Sequence, residues 1–283
     1  MPLMAYVNDE MVPLAQASVP VMDRGFLFGD SLFEVMKVSH GKAVHAEEHV
    51  KRLLNAAKQM RFKGLPERGV LLSRVGKVIL ASRLDTGYVY LQVTRGAAPQ
   101  RSRVSSTRSM VVIFVDDSPG PDQELVDKGA RVITVPDDRA MFGQFKTTSA
   151  MPRIVSEMNA IDNGCYEAIY KHKDTRVFEA TSANLFIVKC GRLLTPVAGR
   201  HVLSGVTRDK IMAIARESGI ETRERQIYYD ELLEADEVFL TGSVKIVVGV
   251  VEVDGQKIGN GRVGDITNRL RQAYIRQFLN MKP

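Results

Sequence analysis

The fold class that the sequence predicts is mixed α/β, of the α+β kind, in two domains with antiparallel or mixed sheets, and three observations carry it. Short β-rich runs and amphipathic helical runs replace one another along the whole chain. Turn signals such as "SHGK", "KHKDTR" and "KCGR" separate the β-rich runs at hairpin spacing. The stretch "DDSPGPDQE", 116–124, places two prolines around a glycine and is the best linker in the chain. The expected division is a smaller N-terminal domain over 1–117, a linker over 118–121 and a larger C-terminal domain over 122–283. A length of 283 residues with 45% hydrophobic and 25% charged residues suits one large or two ordinary globular domains, each able to bury a core.

Element by element, "MAYVND" and "EMVPL" read as a hairpin, and "LFEVMKVSHGKAVHA" as two strands around a His-Gly turn. In "EEHVKRLLNAAKQMRF" the apolar residues Val50, Leu53, Leu54, Ala57 and Met60 recur at helical spacing, predicting one buried face. A second helix over roughly 66–84 leads to the strands "GYVYLQVTRG" and "SMVVIFVDD". Past the linker come a strand "ARVITV", a helix with Met151, Ile154, Val155, Met158 and Ile161 on one face, and a hairpin meander from Cys165 to Pro196. A helix from about 207, the strands "EVFLTGS" and "GVVEVDGQKI", and a last helix bearing Ile266, Leu270, Ala273, Tyr274 and Phe278 complete the chain.

Several function classes lose ground at once. The apolar runs fall far short of the roughly 20 residues that span a bilayer, and the first residues read as no secretory signal, so a cytoplasmic protein with no membrane partner is expected. Cys165 and Cys190 lie outside any Cys/His ligand spacing and read as ordinary thiols, with no metal expected. The net charge is +6 and the isoelectric point about 9.3. The 39 basic residues are nevertheless interleaved with acids, so no nucleic-acid partner is expected, and the charge serves to attract small anions. Motifs for dinucleotides, NTPs, catalytic zinc and serine hydrolysis are all missing.

What remains is a set of groups suited to a phosphorylated carbonyl cofactor. Lys146, in "FGQFKTTSAM", has no acidic neighbour in sequence, and a lysine kept partly from water can attack a carbonyl as a free amine. Glu179, in "RVFEATSAN", stands at a strand end, where a carboxylate could hold a pyridine nitrogen protonated. "LSGVTRD" sets Ser204, Gly205 and Thr207 at a helix entry, whose free N–H groups suit a phosphate, and Thr241, Gly242 and Ser243 end a strand with further donors. Arg52 could fork onto the same phosphate. Each residue alone also reads as a surface lysine, a solvated glutamate or an ordinary helix cap; together they describe pyridoxal 5'-phosphate.

The ordered motifs "DRGFLFGDSLFEVMKV", "EEHVKRL", "VTRG", "FKTTSAMPRIVSEMNAIDNGCYEAI", "VFEATSANLF", "LSGVTRD" and "ADEVFLTGS" resemble those of the class IV (fold type IV) pyridoxal-phosphate aminotransferases. That family includes D-amino acid aminotransferase, branched-chain aminotransferase and aminodeoxychorismate lyase, and the likeness runs over nearly the whole chain. It implies a two-domain fold with the cofactor between the domains, in a homodimer. It also implies Lys146 as the Schiff-base lysine, Glu179 as partner of the ring nitrogen, and Arg52, the backbone of Val206 and Thr207, and Ser243 as the phosphate site. The wording of "FEVMKV" and "GCYEAI" is similar to D-amino acid aminotransferases. Phe33 stands where those enzymes carry a tyrosine, "AAPQRSR" offers Arg101 and Arg103 without their histidine, and Met151 replaces a branched-chain tyrosine. Glu34 replaces a threonine common in the lyase. Arg24, Arg95, Arg101 and Arg103 are the candidates for the substrate carboxylate. The implied activity is transamination between an amino acid, D-alanine or D-glutamate in front, and a 2-oxo acid; branched-chain transamination and pyruvate elimination from aminodeoxychorismate are the alternatives.

Overall fold

The computed structural model describes residues 2–98, 108–139 and 142–279. They gather into two compact units, one drawn from Met1–Pro119 with Phe145–Ala150, the other from Gly120–Gln144 with Met151–Asn280. The lysine segment, read from sequence with the second half of the chain, therefore returns to the first unit.

The first unit is a six-stranded sheet with two long helices. Its strands are β1 (Met4–Val7), β2 (Glu10–Pro13), β3 (Ser31–Ser39), β4 (Lys42–Ala43), β5 (Gly87–Thr94) and β6 (Met110–Asp116), in the order β2-β1-β6-β5-β3-β4 and antiparallel throughout. A short helix α1 (Arg24–Phe28) precedes β3, and α2 (Ala46–Gln59) and α3 (Arg68–Ala81) lie between β4 and β5. Side chains alternate along a strand, so Leu32, Met36 and Val38 of β3 meet Val89, Leu91 and Val93 of β5 and the buried faces of both helices in one core. Glu34 occupies the same alternating core position and is fully buried. On the opposite face Phe33, Tyr90 and Phe114 stack in a row across three strands, with centroids 5.4 and 4.9 Å apart.

The second unit is organised around a closed ring of strands. Helix α4 (Gln123–Lys128) and β7 (Ala130–Pro136) come first, then α5 (Met151–Asp162), β8 (Glu167–Lys171), β9 (Arg176–Ala180), β10 (Asn184–Lys189), β11 (Arg192–Thr195), α6 (Val206–Glu217), β12 (Thr222–Glu224), β13 (Ile227–Tyr228), α7 (Tyr229–Leu233), β14 (Glu237–Gly242), β15 (Ile246–Val253), β16 (Gln256–Lys257) and α8 (Asp265–Tyr274), which runs on into a π-helical turn. The strand order β10-β14-β15-β7-β8-β9 is closed by a β9–β10 pairing at one residue pair, Glu179 opposite Asn184. Residues of all six strands fill one apolar core, among them Val132, Ile169, Val177, Leu185, Leu240 and Val250. Alternate residues point outward, where Phe186 and Phe239 stack against α6 and α8 in a second core that also holds Leu270 and Tyr274. Helix α5 differs from the buried helices: Met151, Ile154, Val155, Met158 and Ile161 do share a face, but all five are exposed and only Ala160 is buried.

Candidate active site

Lys146 is held by the backbone of β3. The Phe33 N–H donates to the Lys146 carbonyl (2.9 Å) and the Thr148 N–H to the Ser31 carbonyl (3.1 Å), so 146–148 continues the sheet as a short antiparallel addition opposite Leu32. Two hydroxyls fasten the segment to Gly29, those of Thr148 (3.2 Å) and Ser149 (3.0 Å). Gly29 ends α1 with φ +62, and a Cβ there would press on the Ser149 backbone, so glycine serves both the turn and the close approach. The Lys146 Nζ then lies 4.5 Å from the Phe33 ring centroid, at the head of the aromatic row. A row of side-chain hydrogen bonds runs beside it, from Tyr90 Oη to Gln92 Oε1, from Gln92 Nε2 to Ser31 Oγ, and between the Ser31 and Thr148 hydroxyls.

Beneath Phe33, on the core side, Arg52 forks onto Glu34 with Nε to Oε1 at 2.7 Å and Nη2 to Oε2 at 2.6 Å. His49 Nδ1 meets the same Oε2 at 2.7 Å. Burial raises the Glu34 carboxyl, but Arg52 and His49 pull it down to about 2. Burial lowers His49, against the opposing pull of Glu34, so its neutral ring donates Nδ1–H to a carboxylate that can only accept. Arg24 and Arg95 both direct Nε at Asp30 Oδ2, each at 2.9 Å. Burial works to raise Asp30, but these two arginines lower it, and Arg95 also lies 4.4 Å over the Phe62 ring. Arg101 and Arg103 lie outside the described residues.

In the second unit a β-bulge turns Glu179 toward the site. Between the pairs Ile169–Ala180 and Lys171–Val177, two residues of β9, Phe178 and Glu179, oppose Tyr170 alone. Val177 and Ala180 can therefore both join the ring core, and Glu179 is re-aimed outward. Its Oε2 accepts from Asn184 Nδ2 and from the Leu203 N–H, both at 3.0 Å. Its Oε1 accepts from Arg139 Nη1 at 2.5 Å. Arg139 also donates to Asp137 through Nε (2.8 Å) and Nη2 (3.1 Å). Burial works against the Arg139 charge, but Asp137 and Glu179 raise its pKa further above the ordinary value.

Asn184 stands opposite Thr241 on β14, in the outward row that continues from Phe186 and Phe239. A Cβ on Gly205 would collide with Asn184 Oδ1, so a glycine lets the start of α6 close onto this row. Helix α6 begins at Val206 with no side-chain cap, which leaves the first-turn N–H groups of Val206 and Thr207 available to an acceptor. The buried Thr241 hydroxyl has no hydrogen-bond partner among the described residues, and Ser243 follows in the turn after β14. Next in that turn, Lys245 Nζ lies 2.8 Å from Glu167 Oε2 and 2.5 Å from Ser182 Oγ. Burial works against its charge, yet Glu167 and Tyr166 raise it. Lys245 is thus a half-buried lysine kept protonated, unfit to attack a carbonyl.

These groups fit pyridoxal phosphate. An uncapped helix start, an orphaned hydroxyl and a serine suit a phosphate, and an outward carboxylate suits a ring N–H⁺. Within the second unit the fold brings Glu179, Val206, Thr207 and Ser243 to one end of the ring; within the first it sets Lys146 beside Phe33 and commits Arg52 to Glu34. The sequence reading missed Arg139, Asp137 and Asn184. Asn184 stood in the quoted motif, five residues after Glu179, but Arg139 lies in a loop where an arginine reads as surface.

The family model for amino-transferase class IV matches residues 31–253. A D-alanine aminotransferase from Listeria monocytogenes serotype 4b (strain F2365) is 30% identical over 277 residues, covering 96% of this chain and 95% of that protein. A branched-chain amino acid aminotransferase from Escherichia coli superposes with a TM-score of 0.92 at 26% identity, covering 100% of this chain and 97% of that one. A second branched-chain amino acid aminotransferase, from T.th. and solved with pyridoxamine 5'-phosphate, gives 0.92 at 27% identity and covers 100% and 96%. The chain belongs to the class IV aminotransferases. It is a transaminase of that family with the family's cofactor, pyridoxal 5'-phosphate.

Proposed function

We propose that this transaminase moves the amino group of a D-amino acid, such as D-alanine or D-glutamate, to a 2-oxo acid. The observation that carries the choice of donor is the end-to-end likeness to D-alanine aminotransferases at 30% identity. L-leucine and its branched-chain relatives form the second reading, favoured by Phe33 in place of a tyrosine and by the branched-chain structures at a TM-score of 0.92.

Bound pyridoxal phosphate supplies a carbonyl for amines and a cationic ring that withdraws electrons from the substrate Cα. In this reading Lys146 carries the cofactor and afterwards moves the proton at Cα. Its backbone bond from Phe33, with the Thr148–Ser31 bond two residues on, fixes where Nζ works. Glu179 holds the ring nitrogen proton. The N–H groups of Val206 and Thr207, the Ser243 hydroxyl and Arg52 hold the phosphate, with Glu34 orienting the Arg52 fork. Phe33 walls the substrate side of Lys146. A substrate carboxylate taken by Arg24 or Arg95 would compete with Asp30 for them.

A homodimer and a cytoplasmic location belong to the same proposal. Among the described residues no helix is long and apolar enough to cross a membrane. The five exposed apolar side chains of α5, with Met151 and Ile161 each 68% exposed, make a patch of the kind that a second copy covers. Light scattering should give twice the chain mass for the parent protein, and V155E should reduce it to one; an unchanged dimer in V155E would move the interface off α5.

The activity test is an absorption titration of the cofactor-loaded protein with D-alanine and, separately, L-leucine. Loss of the cofactor band with D-alanine alone supports the proposal, and loss with L-leucine alone supports the second reading. Pyruvate released from aminodeoxychorismate without an amino acceptor would replace both with the lyase. Borohydride reduction followed by peptide mapping should place the cofactor on Lys146, and Lys146→Ala should abolish the adduct.

A further inference from the structure

We infer that Arg139 is a positioning residue that fixes the charge of the cofactor-facing carboxylate, acting through Glu179. The inference rests on reading Glu179 as the partner of the ring nitrogen. Arg139 is bracketed by two carboxylates, Glu179 through Nη1 and Asp137 through Nε and Nη2. Nη2 also donates to the His201 carbonyl at 2.8 Å, and the guanidinium carbon sits 3.9 Å over the Tyr170 ring. All three charged side chains are largely buried, with 16% of Arg139, 4% of Asp137 and 8% of Glu179 exposed.

Such burial decides what each group does. A carboxyl taken out of water without a counter-charge tends to keep its proton, and would then present an O–H rather than a lone pair. The Arg139 guanidinium holds Glu179 ionised, and the Asn184 and Leu203 donors favour the same form. Asp137 matters as well: with it the carboxylates and guanidinium sum to −1, whereas Arg139 and Glu179 alone would sum to zero. A buried site of net charge −1 is matched to a ring nitrogen that carries its proton, and a neutral one is not. The guanidinium is also held from four directions, by Glu179, Asp137, the His201 carbonyl and the Tyr170 ring, so it cannot swing away to leave Glu179 unpaired.

The test compares binding of pyridoxal phosphate with that of its 1-deaza analogue, in which carbon replaces the ring nitrogen while the aldehyde and phosphate are unchanged. Equilibrium dialysis of the full chain with each compound gives an affinity ratio that reports the nitrogen contact alone. The parent protein should prefer pyridoxal phosphate by roughly 10- to 100-fold, the range for a hydrogen bond between charged partners. Arg139→Met should bring the ratio close to one, and Arg139→Lys, which keeps a cation, should recover much of the preference. Equal weakening of both compounds in Arg139→Met, with the ratio kept, would overturn the inference by showing a merely structural role. Failure of Arg139→Lys to recover any preference would overturn the charge argument. A ratio near one in the parent itself would instead reject Glu179 as the nitrogen partner, a failure of the underlying reading rather than of Arg139.

Discussion

Two buried clusters, one in each unit, use the same residue types to opposite ends. In the first unit a single carboxylate, Glu34, takes a guanidinium fork and an imidazole; with His49 neutral, the charges cancel. In the second, a single guanidinium, Arg139, is shared by two carboxylates, and a negative charge is left over. The first cluster balances its own charge at the helix–sheet core, where any surplus would be costly, and fixes the direction of the Arg52 fork. The second stands at the outward edge of the strand ring, where surplus charge can be answered by a cationic ligand. Stoichiometry rather than residue type therefore separates a charge cluster that orients an arginine from one left with a charge to offer a ligand.

The largest effect should come from breaking the first cluster. Glu34→Leu leaves Arg52 without its buried partner, and a loss of about 3–5 kcal/mol of stability is expected, read as a lowered denaturation midpoint. If the two clusters had the same job, Glu179→Gln would destabilise the protein equally. Instead it should leave the midpoint nearly unchanged and slow the half-reaction by roughly 10²- to 10³-fold, the range for removing one charge-stabilising group from an active site.

Acid provides a further distinction. The Glu34 carboxyl ordinarily titrates at 4.5 and in the fold at about 2. A depressed value means that the stabilisation is complete above pH 4.5 and is lost as the pH falls toward 2. The shift corresponds to about 3 kcal/mol. Equilibrium unfolding between pH 5 and 2 should show this slope in the parent and much less of it in Glu34→Gln. The smallest effect is expected from Phe33→Tyr, which adds a hydroxyl to a half-buried ring beside Gln92 and Lys146. Stability should move by less than about 1 kcal/mol, while KM for D-alanine and L-leucine separates if Phe33 walls the substrate pocket.

Much of this was legible in the sequence. Hairpins announced themselves through turn chemistry and the helices through period, while motif order marked Lys146 and Glu179 as candidates. The alternation of β3 even put Glu34 at a core position, although nothing local revealed that Arg52 and His49 would meet it there. Helix α5 shows the limit of period as a signal: an apolar stripe reports that something must cover it, not that its own chain will. The lysine segment shows another, because the Phe33–Lys146 and Thr148–Ser31 bonds join residues more than a hundred positions apart. Arg139 was invisible because its meaning depends on a bulge that re-aims Glu179, and a bulge is a mismatch in register that only paired strands can display.

The closed ring has a consequence for how the protein comes into being. Its parallel seam joins β7 to β15, with Thr134 bonded to Asp254 across 120 residues of chain. A ribosome adding 5–20 residues per second separates those strands by on the order of ten seconds. During that interval β7, β8, β9 and Glu179 have been synthesised, but β14, β15 and Ser243 have not, and the nascent chain carries unsealed strand edges of the kind that chaperones shield. On the proposed reading, in which Ser243 helps to hold the phosphate, the cofactor site is complete only after β14 and the turn that follows it have been made.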